Sequence, residues 1–422
     1  MKKPNKIYSG IFLIFCLTLL PLFYLPYINI TYLPTISDNS YLKISSDDGV
    51  SNYSIAQSIT YEVAINFTLD QLILTGSYFF KFPRLNDRDL DSPLTEYCPP
   101  FQDSELLYLS KSGAGTDPWY YIDEFNNSYD IFNASVMTAA SPPINFHCLY
   151  NITLNEVAFG DIQKLDIDMS DYDVYDPMFN FYCNNSEQYY ETNNTALIAK
   201  SNEIVGSSTN PMEIAQKISS WVSSYLTYDN TGPAQEIGAL AAYNTGKGDC
   251  SEFSTLMITL LRIQGIPARK VTGYLAYDPT TTSTFRPPVG YSQSFTYDGV
   301  TSDLLGHAWV EYYIPTIGWI SCEPQVPSLY KTSSYSRFTH NIGAWFLFPK
   351  NATHYYNDSE FNRIIGGTYS GSNNINYTFS YTVVAVNLIP EFDLLAFLIP
   401  IVIIVGVIAL VGLVIYIIIK KT

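Results

Sequence analysis

The stretch from Gly246 to Tyr274, GKGDCSEFSTLMITLLRIQGIPARKVTGY, leaves this chain little local freedom. Apolar residues at Phe253, Leu256, Met257, Leu260 and Leu261 repeat at i, i+3, i+4, i+7 and i+8, the stripe of a helix buried along one face. Asp249 can cap that helix, and Glu252 three residues later completes a capping box. Gly265 and Pro267 mark its end. The spacing therefore predicts a helix whose first residue is Cys250. Unpaired N–H groups and the positive end of the helix dipole favour a thiolate there, which makes Cys250 a candidate nucleophile.

A base and an orienting group follow. The segment GHAWVEYYIPTIGWISCEPQ holds His307 and Glu323. His307–Ile314 and Trp319–Glu323 read as two strands joined by a turn at Pro315–Gly318. In that hairpin His307 and Glu323 fall near the same open end, where the carboxylate can orient the imidazole. A lone cysteine is most often simply buried. An ordered nucleophile, base and carboxylate is the pattern of covalent catalysis.

These blocks resemble the transglutaminase-like superfamily, whose core is a permuted relative of the papain fold. The resemblance rests on Gly248-Asp249-Cys250, Gly265-Ile266-Pro267-Ala268-Arg269, Gly273-Tyr274, His307-Ala308-Trp309-Val310-Glu311, Gly318-Trp319 and Glu323-Pro324, and runs from Asn210 to Gln325. It implies Cys250 as nucleophile, His307 as general base and position 323 as the residue that orients the histidine. The family usually has Asp at that third place; this chain has Glu. The implied chemistry is amide cleavage through an acyl-enzyme on a protein or peptide substrate, with no cofactor and no metal. Hydrolysis comes first because water is the default acceptor. A cross-linking acyl transfer and a non-catalytic surface module that keeps the fold are the alternatives. The Cys250 backbone N–H is one expected oxyanion donor, Tyr243 or Trp221 are candidates for the second, and Trp309 is expected to wall the cleft.

Two apolar stretches set the location. Residues 7–28 follow Lys2, Lys3 and Lys6, and read as a signal anchor or signal peptide. Residues 394–419 end in Lys420-Lys421 and are long enough to cross a bilayer. Lysines at both far ends place residues 29–392 outside the cell membrane. The formal net charge of −17 argues against nucleic acid as a partner. Asn-x-Ser/Thr sequons occur at Asn29, Asn52, Asn66, Asn126, Asn133, Asn151, Asn184, Asn193, Asn351, Asn357 and Asn376, and none falls inside the stretch that carries Cys250, His307 and Glu323.

The expected fold is α+β. After the segment 1–28 comes a β-rich, sandwich-like domain (29–197), where Ile59, Tyr61, Val63, Ile65, Phe67 and Leu69 alternate with polar or small residues as in a one-sided strand. A papain-like transglutaminase core (198–345), a β-containing stalk (346–392) and a C-terminal transmembrane helix (393–419) complete the chain. Residues 278–306 read as a loop beside the cleft. The acidic run Asp166, Asp168, Asp171, Asp173 and Asp176 lacks the glycine and terminal glutamate of an EF-hand and reads as a solvated loop. Cys98, Cys148 and Cys183 could form one bridge, a Cys250–Cys322 bridge would silence the site, and packing is the expected role of Cys322.

Overall fold

The computed structural model describes residues 53–72, 78–88, 98–123, 125–134, 141–160, 162, 165–183, 189–231, 236–277, 287–297, 306–331, 333, 336–343, 365–366, 375–389 and 418. The apolar stretches 7–28 and 394–419 lie outside these apart from Ile418, so the expected membrane segments are not part of what is described. Among the described residues no helix is long and apolar enough to cross a membrane.

The β-rich half is two sheets sharing one core. Its strands are β1 (Tyr53–Leu72), β2 (Tyr78–Pro83), β3 (Gln102–Ser112), β4 (Trp119–Ile122), β5 (Ser128–Ala134) and β6 (Ile144–Phe159). The alternation from Ile59 to Leu69 does set the pleat of β1, and all six apolar residues are buried. Opposite them the second sheet presents Phe80, Phe82 and Phe132; Phe67 lies 5.3 Å from Phe80, and Phe82 stacks on Phe146 at 4.4 Å. Offset ring pairs of this kind add to what area burial alone supplies.

The helices follow: α1 (Pro177–Cys183), α2 (Thr195–Val205) and α3 (Pro211–Tyr225), then the two-residue strand β7 (Thr227–Tyr228), α4 (Ala239–Thr245), strand β8 (Lys247–Gly248) and α5 (Cys250–Ile263). Asn210 caps α3 by accepting from the Met212 and Glu213 N–H groups, with Pro211 in the first turn. The sheet beside α5 has the order β12–β11–β9–β13, with β9 (Ala268–Leu275), β11 (Gly306–Ile314), β12 (Gly318–Cys322) and β13 (Arg337–Ile342). Every residue of β9 is buried. It is covered on both faces: Ala268 belongs to the helical core, while Tyr274 and Ala276 just beyond belong to the core of the sandwich.

Two segments differ from the sequence reading. Residues 278–306 are not all loop: Ser292–Tyr297 forms strand β10. After the short β14 (Ile365–Gly366), the β-containing stalk expected at 346–392 does supply a strand, β15 (Ile375–Ile389), but one that lies within the large sheet. The large sheet runs β10–β15–β1–β6–β3, so a strand from between β9 and β11 and a strand from beyond β13 both complete the sandwich. Neither the six residues of β10 nor the alternation along β15 carries a signal of which sheet the strand joins.

The five described cysteines, Cys98, Cys148, Cys183, Cys250 and Cys322, are free thiols, so neither the outer bridge nor a Cys250–Cys322 bridge is present among them. In the acidic run, Asp168 caps the turn Met169–Asp171 and Asp171 accepts back from the Asp168 N–H.

Candidate active site

The start of α5 is built as its sequence indicates. The Asp249 carboxylate accepts the Ser251 N–H at 2.7 Å, and Glu252 Oε2 accepts the Asp249 N–H at 2.8 Å. This reciprocal box fixes the backbone on either side of Cys250, which is half-buried. Gly248 is part of the device: a Cβ there would lie 2.3 Å from Glu252 Cβ, so a side chain would break the box.

From the other side comes β11. His307 pairs with Gly273 of β9, and the β11–β12 ladder runs to Val310 and Cys322, so Glu323 leaves it one residue beyond. The turn between these strands uses Thr316 and Gly318, both at positive φ. His307 Nε2 and Glu323 Oε2 are 2.6 Å apart, and the Cys250 side chain lies close enough to the ring to help raise its pKa. With Nε2 taken by the carboxylate, Nδ1 is left for the sulfur. Burial opposes the imidazolium, but the charge of Glu323, the nearby Cys250 side chain and the Glu323 hydrogen bond outweigh it and raise the pKa to about 10. Burial likewise opposes ionisation of Glu323, and the charge and hydrogen bond of His307 with the charge of Arg337 hold its pKa below the usual value.

The three residues expected from the sequence are therefore brought together. The supporting candidates fare differently. Trp309 is only 3% exposed; it stacks behind His307 with centroids 6.0 Å apart, and the Arg337 guanidinium lies 5.0 Å from its ring. It is packing beneath the imidazole rather than an open cleft wall. Tyr243 and Trp221 belong to a stack with Tyr225, in which Trp221 and Tyr225 are 4.4 Å apart and the Tyr225 hydroxyl donates to the Tyr243 carbonyl. Of the sequon residues, Asn126 and Asn193 are exposed, Asn66 and Asn151 are half-buried on the sheet, and the side chains of the other seven lie outside what is described. Cys322 is buried, with Sγ 3.7 Å from Met257 Sδ.

Two residues at the site carry no motif. Arg337 donates to Glu323 Oε2 at 3.1 Å from β13, the far edge strand of the same sheet. Tyr228, 55% exposed, lies close enough to Cys250 and Asp249 for their charges, after burial itself, to raise its phenol pKa. It is brought there by the parallel pairing of β7 with β8, two residues each, which no periodicity announces.

Two buried ion networks hold the frame. Arg88, from the β-rich half, sets Nη2 2.8 and 2.7 Å from the two Glu311 oxygens, and Arg269 Nε donates to the same carboxylate at 2.9 Å. The motif residues Arg269 and Glu311 thus join β9 to β11. Under the first turn of α5, Lys270 Nζ meets Glu236 Oε2 at 3.0 Å, the Ser251 carbonyl at 3.0 Å and Thr255 Oγ1 at 2.7 Å. Gly273 lets β13 close on β9: a Cβ would lie 1.7 Å from the Phe338 carbonyl oxygen, beside the register shift between Thr339 and Asn341.

Residues 198–324 match the family model of the transglutaminase-like superfamily. Over 82 residues the chain is 38% identical to the uncharacterised protein YebA of Bacillus subtilis and 34% identical to a protein-glutamine gamma-glutamyltransferase of Pseudomonas aeruginosa; each match takes in 19% of this chain and 10% of the relative. The chain thus spans about a tenth of the length of these curated relatives. A crystal structure of a candidate cysteine protease from Cytophaga hutchinsonii aligns with 77% of this chain and 92% of its own, at 14% identity and a TM-score of 0.48. The periplasmic domain of TgpA from Pseudomonas aeruginosa aligns with 67% of this chain and 99% of its own, at 16% identity and a TM-score of 0.29. Residues 198–324 form a transglutaminase-like domain.

Proposed function

We propose that this transglutaminase-like domain is a cysteine-dependent amide-cleaving centre, with Cys250 as nucleophile, His307 as general acid and base, Glu323 as its orienting carboxylate, and hydrolysis of a peptide or protein amide as the net reaction. One observation carries the reading: a single imidazole held at 2.6 Å by a buried carboxylate and within interaction range of a half-exposed cysteine at a helix start.

In this reaction the Cys250 sulfur attacks the amide carbonyl carbon. The carbonyl oxygen takes up negative charge at the α5 N-terminus, where the capping box uses the Ser251 and Glu252 N–H groups and leaves that of Cys250 for the oxyanion. His307 passes its proton to the leaving amine as the C–N bond breaks, giving a thioester. Water then attacks that thioester, His307 takes its proton, and loss of the thiolate releases the acid. Glu323 keeps the imidazolium in place through both halves.

A second reading replaces water by an amine and forms a cross-link. It is favoured by the Pseudomonas relative, a protein-glutamine gamma-glutamyltransferase. The two apolar stretches and the sequons support an extracellular, membrane-anchored setting for either reaction, with surface proteins or peptides as substrates.

The test is direct. Iodoacetamide should label Cys250 at neutral pH faster than Cys98, Cys148, Cys183 or Cys322, which are buried. Peptide libraries should yield new amino termini with the wild type and none with Cys250→Ala. Incorporation of a fluorescent primary amine with release of ammonia would favour transfer. An unlabelled Cys250 and an inert wild type would reject both readings.

A further inference from the structure

Beside Trp309, where Arg88 of the β-rich half meets β11, β12 and β13, the structure leaves a small cavity of ≈ 10 Å³. Arg88, Ser321, Trp309 and Arg337 line it, with Glu311 in its wall, and every one of them is buried. Space of this order takes one water-sized occupant.

The charges around it do not cancel. Arg88, Arg269 and Arg337 bring three guanidinium groups, and Glu311 and Glu323 two carboxylates. His307 and Cys250 add nothing net, whether as imidazolium and thiolate or as a neutral pair. Cys98, 3.4 Å from Arg88, is no counter-ion, because burial pushes its thiol up to about 11. One positive charge is left over around a cavity lined by buried groups. Isolated buried charge is costly enough that proteins pair it.

Unused donors sit at the same place. Arg88 Nε and Ser321 Oγ are both buried and have no hydrogen-bond partner among the described residues, although each residue lines the cavity and is 1% exposed. The one carboxylate in the wall, Glu311, is already saturated by Arg88 and Arg269, which blunts its repulsion of an anion.

We propose that this cavity is a binding site for a small monovalent anion of halide size, held by Arg88 Nε–H and Ser321 Oγ–H beside the Arg337 guanidinium. The site is separate from the Cys250–His307–Glu323 centre. It adjoins that centre through Arg337, which donates to Glu323.

The full-length protein in detergent would be melted in sodium chloride, sodium bromide and sodium gluconate at constant ionic strength. Halide should raise Tm in a saturable manner, and gluconate, too large for the cavity, should not. Ser321→Ala, which removes one donor without touching the Cys250 centre, should raise the half-saturating halide concentration roughly ten- to a hundredfold. Crystals grown in bromide should give an anomalous peak between Arg88, Ser321 and Arg337. Equal melting in halide and gluconate with no peak in the cavity would overturn the proposal and leave water as the occupant. So would a halide effect that Ser321→Ala leaves unchanged.

Discussion

Arg337 donates to Glu323 Oε2, the same oxygen that holds His307 Nε2, at 3.1 Å against 2.6 Å. The carboxylate therefore answers to two cations. Arg337 is itself fixed from behind by the face of Trp309. Glutamate is one methylene longer than the aspartate usual in the family and has one more torsion to restrain. The guanidinium and the Gln325 N–H, 3.4 Å from Oε1, supply that restraint.

Replacing Glu323 by Gln should lower the rate of any turnover on the order of ten- to a thousandfold, because the imidazolium loses its charged partner while the shape is kept. The pKa of His307 should fall with it, since the Glu323 charge is the largest of the effects raising it. Titration of the His307 ring by NMR in the wild type and in Glu323→Gln checks this. An unchanged ring titration and rate would make Glu323 a bystander.

Arg337→Gln should act on stability and on the acid side of the pH profile. Glu323 keeps His307 but loses one buried hydrogen-bond partner, which costs about 1–3 kcal/mol. With one cation gone, Glu323 should protonate at a higher pH, so the acid limb of Cys250 alkylation should move upward. Arg337→Lys should recover part of both effects. Urea unfolding and iodoacetamide rates measured against pH report them separately.

The His307 pKa gives stability a definite slope. The folded value, about 10, lies above the ordinary 6.5, so the contribution is complete below about 6.5 and is lost as pH rises to about 10. Glu252 adds to the same trend. Burial, then the charges of Glu236 and Asp249, raise its carboxyl pKa from 4.5 to about 8, so its contribution is full below 4.5 and is lost as pH climbs through 8. Urea midpoints from pH 6 to pH 10 should fall more steeply in the wild type than in His307→Gln or Glu252→Gln. Parallel slopes would contradict the assignment.

Lys270→Met should destabilise the fold by about 3–5 kcal/mol, because it leaves Glu236 buried without its cation. The double variant Lys270→Met/Glu236→Gln should regain most of that loss, as the remaining groups are neutral. Chemical unfolding of the four proteins in the cycle measures the coupling. Losses that simply add would mean that the pair is not energetically joined.

What could be read beforehand was what lies close in sequence. The capping box at Asp249 and Glu252, the stripe from Phe253 to Leu261, the cap at Asn210 and the β11–β12 hairpin all involve partners a few residues apart, and each has a periodicity or a turn residue to announce it. Arg88 had none. Its partner Glu311 lies 223 residues away, and an arginine in a polar stretch looks like any surface arginine until the chain folds. Arg337 and Tyr228 were missed for the same reason. Trp309, expected to wall the cleft, is instead covered by Arg337, a residue of a strand that no spacing around Trp309 announces.

The β1–β15 ladder has one more consequence. Ser58 near the start of β1 pairs with Ile389 at the end of β15, while Leu72 pairs with Ile375 at the far end. The start of β1 and the end of β15 thus lie at one end of two adjacent antiparallel strands. Tension applied through those two points would load the rungs one after another, as in a zipper, instead of shearing them together. Under a pull between its ends, the sheet that backs β9 and Tyr274 would open from that end first.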